Sequence, residues 1–299
     1  MPTGFSHKQP QFAPFSLLGL NLYSKLDNDF SVGAQLIAQG ASYNLSQQTA
    51  PVVSAAGAPT GNSAVLPDER QFIVSAEWAF VNWAPTSDFS AKMGRILNPA
   101  WIAADYLSVG ALLPYRQVPR DVYGLSPFSS FDGGQVIKSF DAGVGRLTAS
   151  VWGGTPVLTA GGLQITNYWG ASLGLDGEGW GVKLTQSSAI LRLPALSIGS
   201  LLNTSSLSFK VDKNGFVAWG EAFYTKANKD SDTYNLGAGN STLVEQTDGG
   251  YVLVGYKFGK LMPRYTYTKT HSQIGLPTSP EAKSQTHTVG LNYDVASQA

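Results

Sequence analysis

Apolar side chains recur at every second position through much of this chain, in short bursts that end at turn residues. From Phe30 onward, Val32, Ala34, Leu36 and Ala38 share one parity, while Ser31, Gly33, Gln35 and Gln39 hold the other. A period of two marks a strand with one face in an apolar medium and one in a polar medium. The preceding segment behaves alike: Leu18, Leu20, Leu22 and Leu26 lie on one face, before the turn Asp27-Asn28-Asp29. Between Phe72 and Trp83 the set Phe72, Val74, Ala76, Trp78, Phe80 alternates with Ile73, Ser75, Glu77, Ala79, Val81. Further along, Leu147, Ala149 and Val151 oppose Arg146, Thr148 and Ser150, and near the end Val289, Leu291 and Tyr293 oppose Thr288, Gly290 and Asn292.

The connections between these bursts are sorted. Asp141-Ala142-Gly143, Asp176-Gly177-Glu178-Gly179, Asp212-Lys213-Asn214-Gly215 and Gly259-Lys260 are tight turns, and they alternate with much longer segments such as 41–69. A β-sandwich has no reason to sort its loops by side, whereas a membrane barrel has short turns at one rim and long loops at the other. Aromatic residues cluster beside the short turns: Phe30, Trp83, Phe89, Phe140, Trp180, Phe216, Phe258 and Tyr293. An aromatic girdle at a membrane interface accounts for that placement. The expected fold is an all-β, transmembrane, antiparallel up-and-down β-barrel.

Composition agrees with this and closes other routes. Charged residues make up only 13% of the 299, and the formal net charge is zero, so charge points to no nucleic-acid partner. No run of roughly eighteen apolar residues is present to form a transmembrane helix, which a barrel does not need. Cysteine is absent, so thiol chemistry and cysteine-ligated metal are excluded. The N-terminus Met1-Pro2-Thr3-Gly4 lacks the basic and apolar regions of a signal peptide.

One stretch breaks the rhythm. After the strand ending at Gly94-Arg95, the alternation stops at Asn98-Pro99 and does not resume for about thirty-five residues. Trp101, Tyr106, Tyr115, Tyr123, Phe128 and Phe131 make this insert too aromatic for a solvated linker. A long, apolar, proline-bearing loop is expected to pack inside something, here the lumen, with residues 98–132 forming a constriction.

With Gly94-Arg95 ahead of the insert, the chain resembles the general diffusion porins of Gram-negative bacteria. In that family a Gly-Arg pair ends the strand before the constriction loop, which follows the fifth strand. About thirteen strands are readable here, and Gly94-Arg95 ends the fourth. One strand before Phe15 and two after Ala299 would complete a barrel of about sixteen. The segment from Pro119 to Gly133 also resembles one in porin-like proteins of aquatic bacteria, although the terminal aromatic usual in porins is missing. The resemblance implies one domain over residues 1–299, a place in the outer membrane among lipid and lipopolysaccharide, a homotrimer, and passive passage of small hydrophilic solutes.

In such a barrel the polar parity lines the pore. The expected pore-lining and constriction residues are Glu77, Lys92, Arg95, Arg116, Arg120, Asp121, Asp132, Arg146, Lys183 and Arg264. Arg95 has the parity of Phe89, Ala91 and Met93, so it faces inward only where a bulge reverses the strand. Basic residues outnumber acidic ones on the inward parity, which includes Lys25, Lys210, Asp212, Lys257 and Asp294, and this predicts a mild anion preference.

Enzyme, cofactor and metal readings find little. Gly170-Ala171-Ser172-Leu173-Gly174 matches a nucleophile elbow but lies inside a strand rather than at a strand-to-helix turn. His271 and His287 flank one loop without a carboxylate at ligand spacing. Two other expectations stand beside the channel: an adhesin or binding scaffold acting through its long loops, and a barrel-embedded lipid hydrolase.

Overall fold

The computed structural model describes residues 17–40, 72–104, 114, 118–126, 128–157, 164–193, 198–229, 246–273 and 281–293. Within them the strands are β1 (Leu17–Lys25), β2 (Phe30–Gly40), β3 (Phe72–Thr86), β4 (Phe89–Leu97), β5 (Ser130–Asp141), β6 (Arg146–Pro156) and β7 (Gln164–Gly177). They continue as β8 (Trp180–Leu193), β9 (Ile198–Lys213), β10 (Phe216–Lys229), β11 (Gln246–Tyr256), β12 (Leu261–Gln273) and β13 (Ala282–Tyr293), with one short helix, α1 (Arg120–Tyr123), inside the insert. All thirteen strands form a single sheet in sequence order. Each pairs antiparallel with its neighbours in sequence, and no pairing joins β1 to β13 among the described residues.

The sheet is inverted relative to a water-soluble protein. Leu184 (58% exposed), Val151 (55%) and Leu173 (48%) stand on its outer face, while Ser208 (0%), Thr268 (4%) and Ser150 (7%) are buried on its inner face. Buried hydroxyls are tolerable only when hydrogen-bonded. Gln135 Nε2 donates to Ser150 Oγ (3.0 Å), and Ser139 and Thr148 share a hydrogen bond of 3.2 Å. An apolar outer face with every strand paired to the next is the solution a bilayer imposes, because lipid offers the backbone no hydrogen bonds.

The turns are built as their residues dictate. Asp27 Oδ1 accepts hydrogen bonds from the Asp29 and Phe30 amides (2.8 and 2.7 Å), closing the β1–β2 turn. Between β9 and β10, Asn214 and Gly215 both adopt positive φ (52° and 81°), the left-handed pair that a two-residue hairpin needs. Above these turns the aromatic girdle is continuous at β2–β4: Phe30 stacks on Trp83 at 6.4 Å, and Trp83 meets Phe89 edge-on at 5.7 Å.

Two details differ from the simple alternation. The β2–β3 register shifts at Glu77, because Gln35 pairs with Trp78 and Leu36 with Ala76, leaving Glu77 as the extra residue of a bulge. Parity therefore reverses, so that Trp78 and Phe80 join the inner face and Val81 and Trp83 the outer one. The insert is also shorter at its far end than expected, since β5 resumes at Ser130 rather than after Asp132.

At the short-turn rim, Lys138 and then the Thr86 hydroxyl (2.6 Å) hold the Asp88 carboxyl down at about 2, below its ordinary 3.8. A carboxylate with a depressed folded-state pKa stabilises the fold above its ordinary value, and loses that contribution as pH falls to the depressed one. Asp88→Asn is expected to lower the thermal midpoint slightly at pH 7, with the difference from the parent closing between about pH 4 and pH 2. Circular dichroism melts across that range check it.

Candidate functional site

The insert runs from Asn98 to Ser129, and its two ends are tied where it leaves the sheet, by Asn98 N donating to Ser129 O (2.7 Å). It lies on the inner wall. Ala103, Val118, Val122, Tyr123 and Phe128 pack in one buried cluster with Trp152, Tyr168, Leu191, Trp219, Phe223, Tyr251 and Leu253 of the wall. This explains why β10 carries Val217, Trp219 and Phe223 on its inward row, where water would favour polar residues. The insert covers that row and keeps it dry.

Hydrogen bonds fix the insert at three levels. Near its start, Asn98 Oδ1 accepts from the Ala100 amide (3.1 Å) and the Tyr168 hydroxyl, while Lys183 Nζ donates to Pro99 O and Ser206 Oγ donates to Ala100 O (3.3 Å). In the middle stands Glu221 of β10, 2% exposed. Its Oε1 accepts from the Ile102 amide (2.9 Å) and Ser208 Oγ (2.8 Å), and its Oε2 accepts from the Tyr123 hydroxyl (2.7 Å). Trp101 completes this level, 5.4 Å from the Tyr123 ring and 5.3 Å edge-on from Phe223. At the far side, Asp121 Oδ2 of α1 accepts from Thr268 Oγ1 (3.1 Å) and Thr286 Oγ1 (2.6 Å), on β12 and β13. Asn292 Nδ2 donates to Pro114 O (3.0 Å) and its Oδ1 accepts from Arg264 Nε (3.1 Å). The insert thus leaves the sheet between β4 and β5 and is held by β7–β10 and by β12–β13.

The residues expected at the constriction are distributed unevenly around this arrangement. Lys183, Asp121 and Arg264 belong to it, the first two by direct contact with the insert and the third through Asn292. Lys92 lies on the inner face of β4, its Nζ 4.9 Å from the centre of the Phe80 ring, paired across the ladder with Gln135. Arg146 has the inward parity but sits at the short-turn rim, where its Nη2 donates to Ser87 O (2.9 Å), away from the insert. Arg116 lies outside the described residues, as do the Arg120 side chain, Tyr106, Tyr115 and Asp294.

Arg95 and Asp132 correct the expectation for themselves. No register shift intervenes along β4–β5, so Arg95 alternates with the buried Ile96 and Asp132 with the buried Phe131. Both side chains are on the outer face, where Arg95 Nε and Nη2 meet the Asp132 carboxylate at 2.9 and 3.1 Å. Arg95 Nη1 also reaches Ala76 O (3.4 Å), beside the Glu77 bulge.

Glu221 is the functional side chain that sequence reasoning missed. Its signal was parity: it shares the inward row of β10 with three large apolar residues, a combination that only a covering segment explains. The histidines also differ from expectation. His271 contacts Asp248 Oδ1 (3.0 Å) and Glu281 Oε1 (2.5 Å), carboxylates too remote in sequence to register as spacing, while His287 pairs with the Tyr265 hydroxyl (2.6 Å). Among the described residues no group of three His, Cys, Asp or Glu side chains is placed to hold a metal ion.

No family model and no curated protein matches the chain. Solved structures do. The chain superposes on OmpF of Salmonella typhi, solved in complex with daunomycin, with a TM-score of 0.59 at 13% identity, covering 94% of this chain and 78% of that one. An anion-selective porin from Comamonas acidovorans gives 0.55 at 11% identity, over 94% and 74%. The outer membrane channel DcaP of Acinetobacter baumannii gives 0.53 at 13% identity, over 94% and 75%. The fold is that of these outer-membrane barrels.

Because three donors converge on Glu221, Glu221→Ala is expected to cost on the order of 3 kcal/mol through unmet buried groups. Glu221→Gln, which keeps an acceptor, is expected to cost less. Limited proteolysis of the folded protein should cut within residues 98–129 faster in the alanine variant than in the glutamine variant.

Proposed function

We propose that the chain is an outer-membrane channel for passive diffusion of small hydrophilic solutes and ions, with the insert, residues 98–129 of a single domain, as its constriction. The observation that carries this reading is the insert itself: a long loop anchored at three levels against the inner face of the barrel sheet. On β2–β5 that face carries Ser31, Gln35, Asn82, Lys92 and Gln135, with Trp78 and Phe80 among them. The likeness to barrels described as porins and channels supports it, and nothing in the reading calls for covalent chemistry.

The charge preference is a mild one for anions. Around the insert, the basic Lys92, Lys183 and Arg264 stand on the inward face against the two carboxylates Asp121 and Glu221. A basic lining lowers the electrostatic cost of an anion relative to a cation.

The assembly is a homotrimer, and the Arg95–Asp132 pair supports a protein-covered outer face. From the girdle residue Phe89 to Arg95 is about 20 Å along the strand, or roughly 15 Å of height at a strand tilt near 40° within a band of about 25 Å. A lipid-facing Arg at mid-depth costs about 2–4 kcal/mol. A neighbouring subunit on β3–β5 removes that cost.

Purified protein in planar bilayers is expected to give discrete ohmic steps; a silent bilayer overturns the channel and favours a scaffold that works through its long loops. In a salt gradient the reversal potential should carry the sign of anion preference, and Lys92→Glu should move it towards cations. Arg95→Ala, which strands Asp132, is expected to shift sedimentation in mild detergent from trimer towards monomer, whereas a monomeric parent protein sinks the trimer.

A further inference from the structure

Between the insert and the inner wall of β7–β11 lies a cavity of about 190 Å3. Trp101, Phe128, Ile165, Tyr168, Leu191 and Phe223 form its apolar side. Hydroxyls of Ser187, Thr204, Thr225 and Thr247 line the remainder. None of its described lining residues is charged. Leu125, 37% exposed on the insert, stands at its rim. Its apolar side is a recess that water wets poorly.

We propose that the cavity is a binding site for a small uncharged aromatic molecule with one hydrogen-bonding end, of the class of aromatic amides. Size is the first argument. An apolar cavity of roughly 150 Å3 takes up a benzene molecule, so this one accommodates a ring with one small substituent. Shape chemistry is the second, since Tyr168 meets Phe128 edge-on at 4.8 Å, and an aromatic guest extends the same edge-to-face packing.

Charge and hydroxyl count narrow the class. A carboxylate or ammonium would be stripped of water with no counter-charge in the lining. A sugar would bring several hydroxyls to walls whose own hydroxyls are largely committed: Thr204 and Thr225 bond each other at 2.9 Å, Thr247 bonds Ser272 at 3.1 Å, and the Tyr168 hydroxyl is spent on Asn98. A hydroxyl has one proton and two lone pairs, so each bonded pair keeps one proton to donate and lone pairs to accept, which can meet both the carbonyl and the N–H of one amide. A ring of hydroxyls would also press polar groups against the side formed by Trp101, Phe128, Ile165 and Phe223, where they find no partner.

The site lies in the same lumen as the proposed channel but does not depend on conduction, so binding and conductance fail separately. The test uses the purified full chain in detergent, with benzamide as the probe, read by calorimetry and saturation-transfer NMR. Benzamide is expected to bind saturably, with benzoate and glucose each at least about tenfold weaker. Ala189→Leu fills the wall of the cavity and is expected to weaken benzamide at least about tenfold. Leu125→Ala, at the rim and clear of the wall, is expected to weaken it by a smaller factor, and decides the matter if the filled variant does not fold. Absence of saturation, equal binding of glucose or benzoate, or benzamide affinity unchanged in the folded variants overturns the proposal.

Discussion

A carboxylate almost sealed from solvent decides the shape of the lumen. Glu221 takes hydrogen bonds from the Ile102 amide, the Tyr123 hydroxyl and Ser208, and so fixes both limbs of the insert against one strand. Burying such a group is costly unless each lone pair is used. Once they are used, the same cost makes every displaced position of the insert worse. The aromatic packing around Trp101 has no such directionality, since apolar contact alone would let the loop slide. The carboxylate supplies the position and the rings supply the attraction.

The inverted burial and the insert are two sides of one requirement. A barrel in lipid satisfies its backbone through neighbouring strands and turns its greasy residues outward. That leaves the interior free to be polar, except where something apolar is packed into it. Here the large apolar residues of the inner wall, among them Trp152, Tyr168, Trp219, Phe223 and Tyr251, gather beneath the insert, between the buried serines and threonines of the same and neighbouring strands.

Much of this was legible before any coordinates. A period of two survives inspection wherever one face is apolar and the other polar, and the strands read from it lie in one sheet in sequence order. Reading failed where the two faces stopped contrasting. On β10 both parities are largely apolar, so Glu221 stood out only against a knowledge of what covers it. On β3 the bulge at Glu77 reverses parity within one run of apolar residues, and Trp78 and Val81 look alike in sequence whichever way they point. Arg95 was the opposite case, because its parity was correct and the resemblance to a constriction arginine pulled against it. Strand geometry won, and the Asp132 partner directly across the ladder shows why an arginine can stand there.

The insert also sets an order on assembly. Every strand pairs only with its neighbours in sequence, so hairpins can form from local encounters as the chain becomes available. The ties of the insert are different: Ile102 reaches 119 residues ahead to Glu221, Asp121 reaches 165 to Thr286, and Pro114 meets Asn292 at a separation of 178. Glu221 arrives with β10, and Thr286 and Asn292 only with β13. The insert is therefore fastened in stages, and a sheet that stalls between β10 and β13 would hold the insert's start and middle in place while the limb carrying Asp121 stayed untied from Thr286.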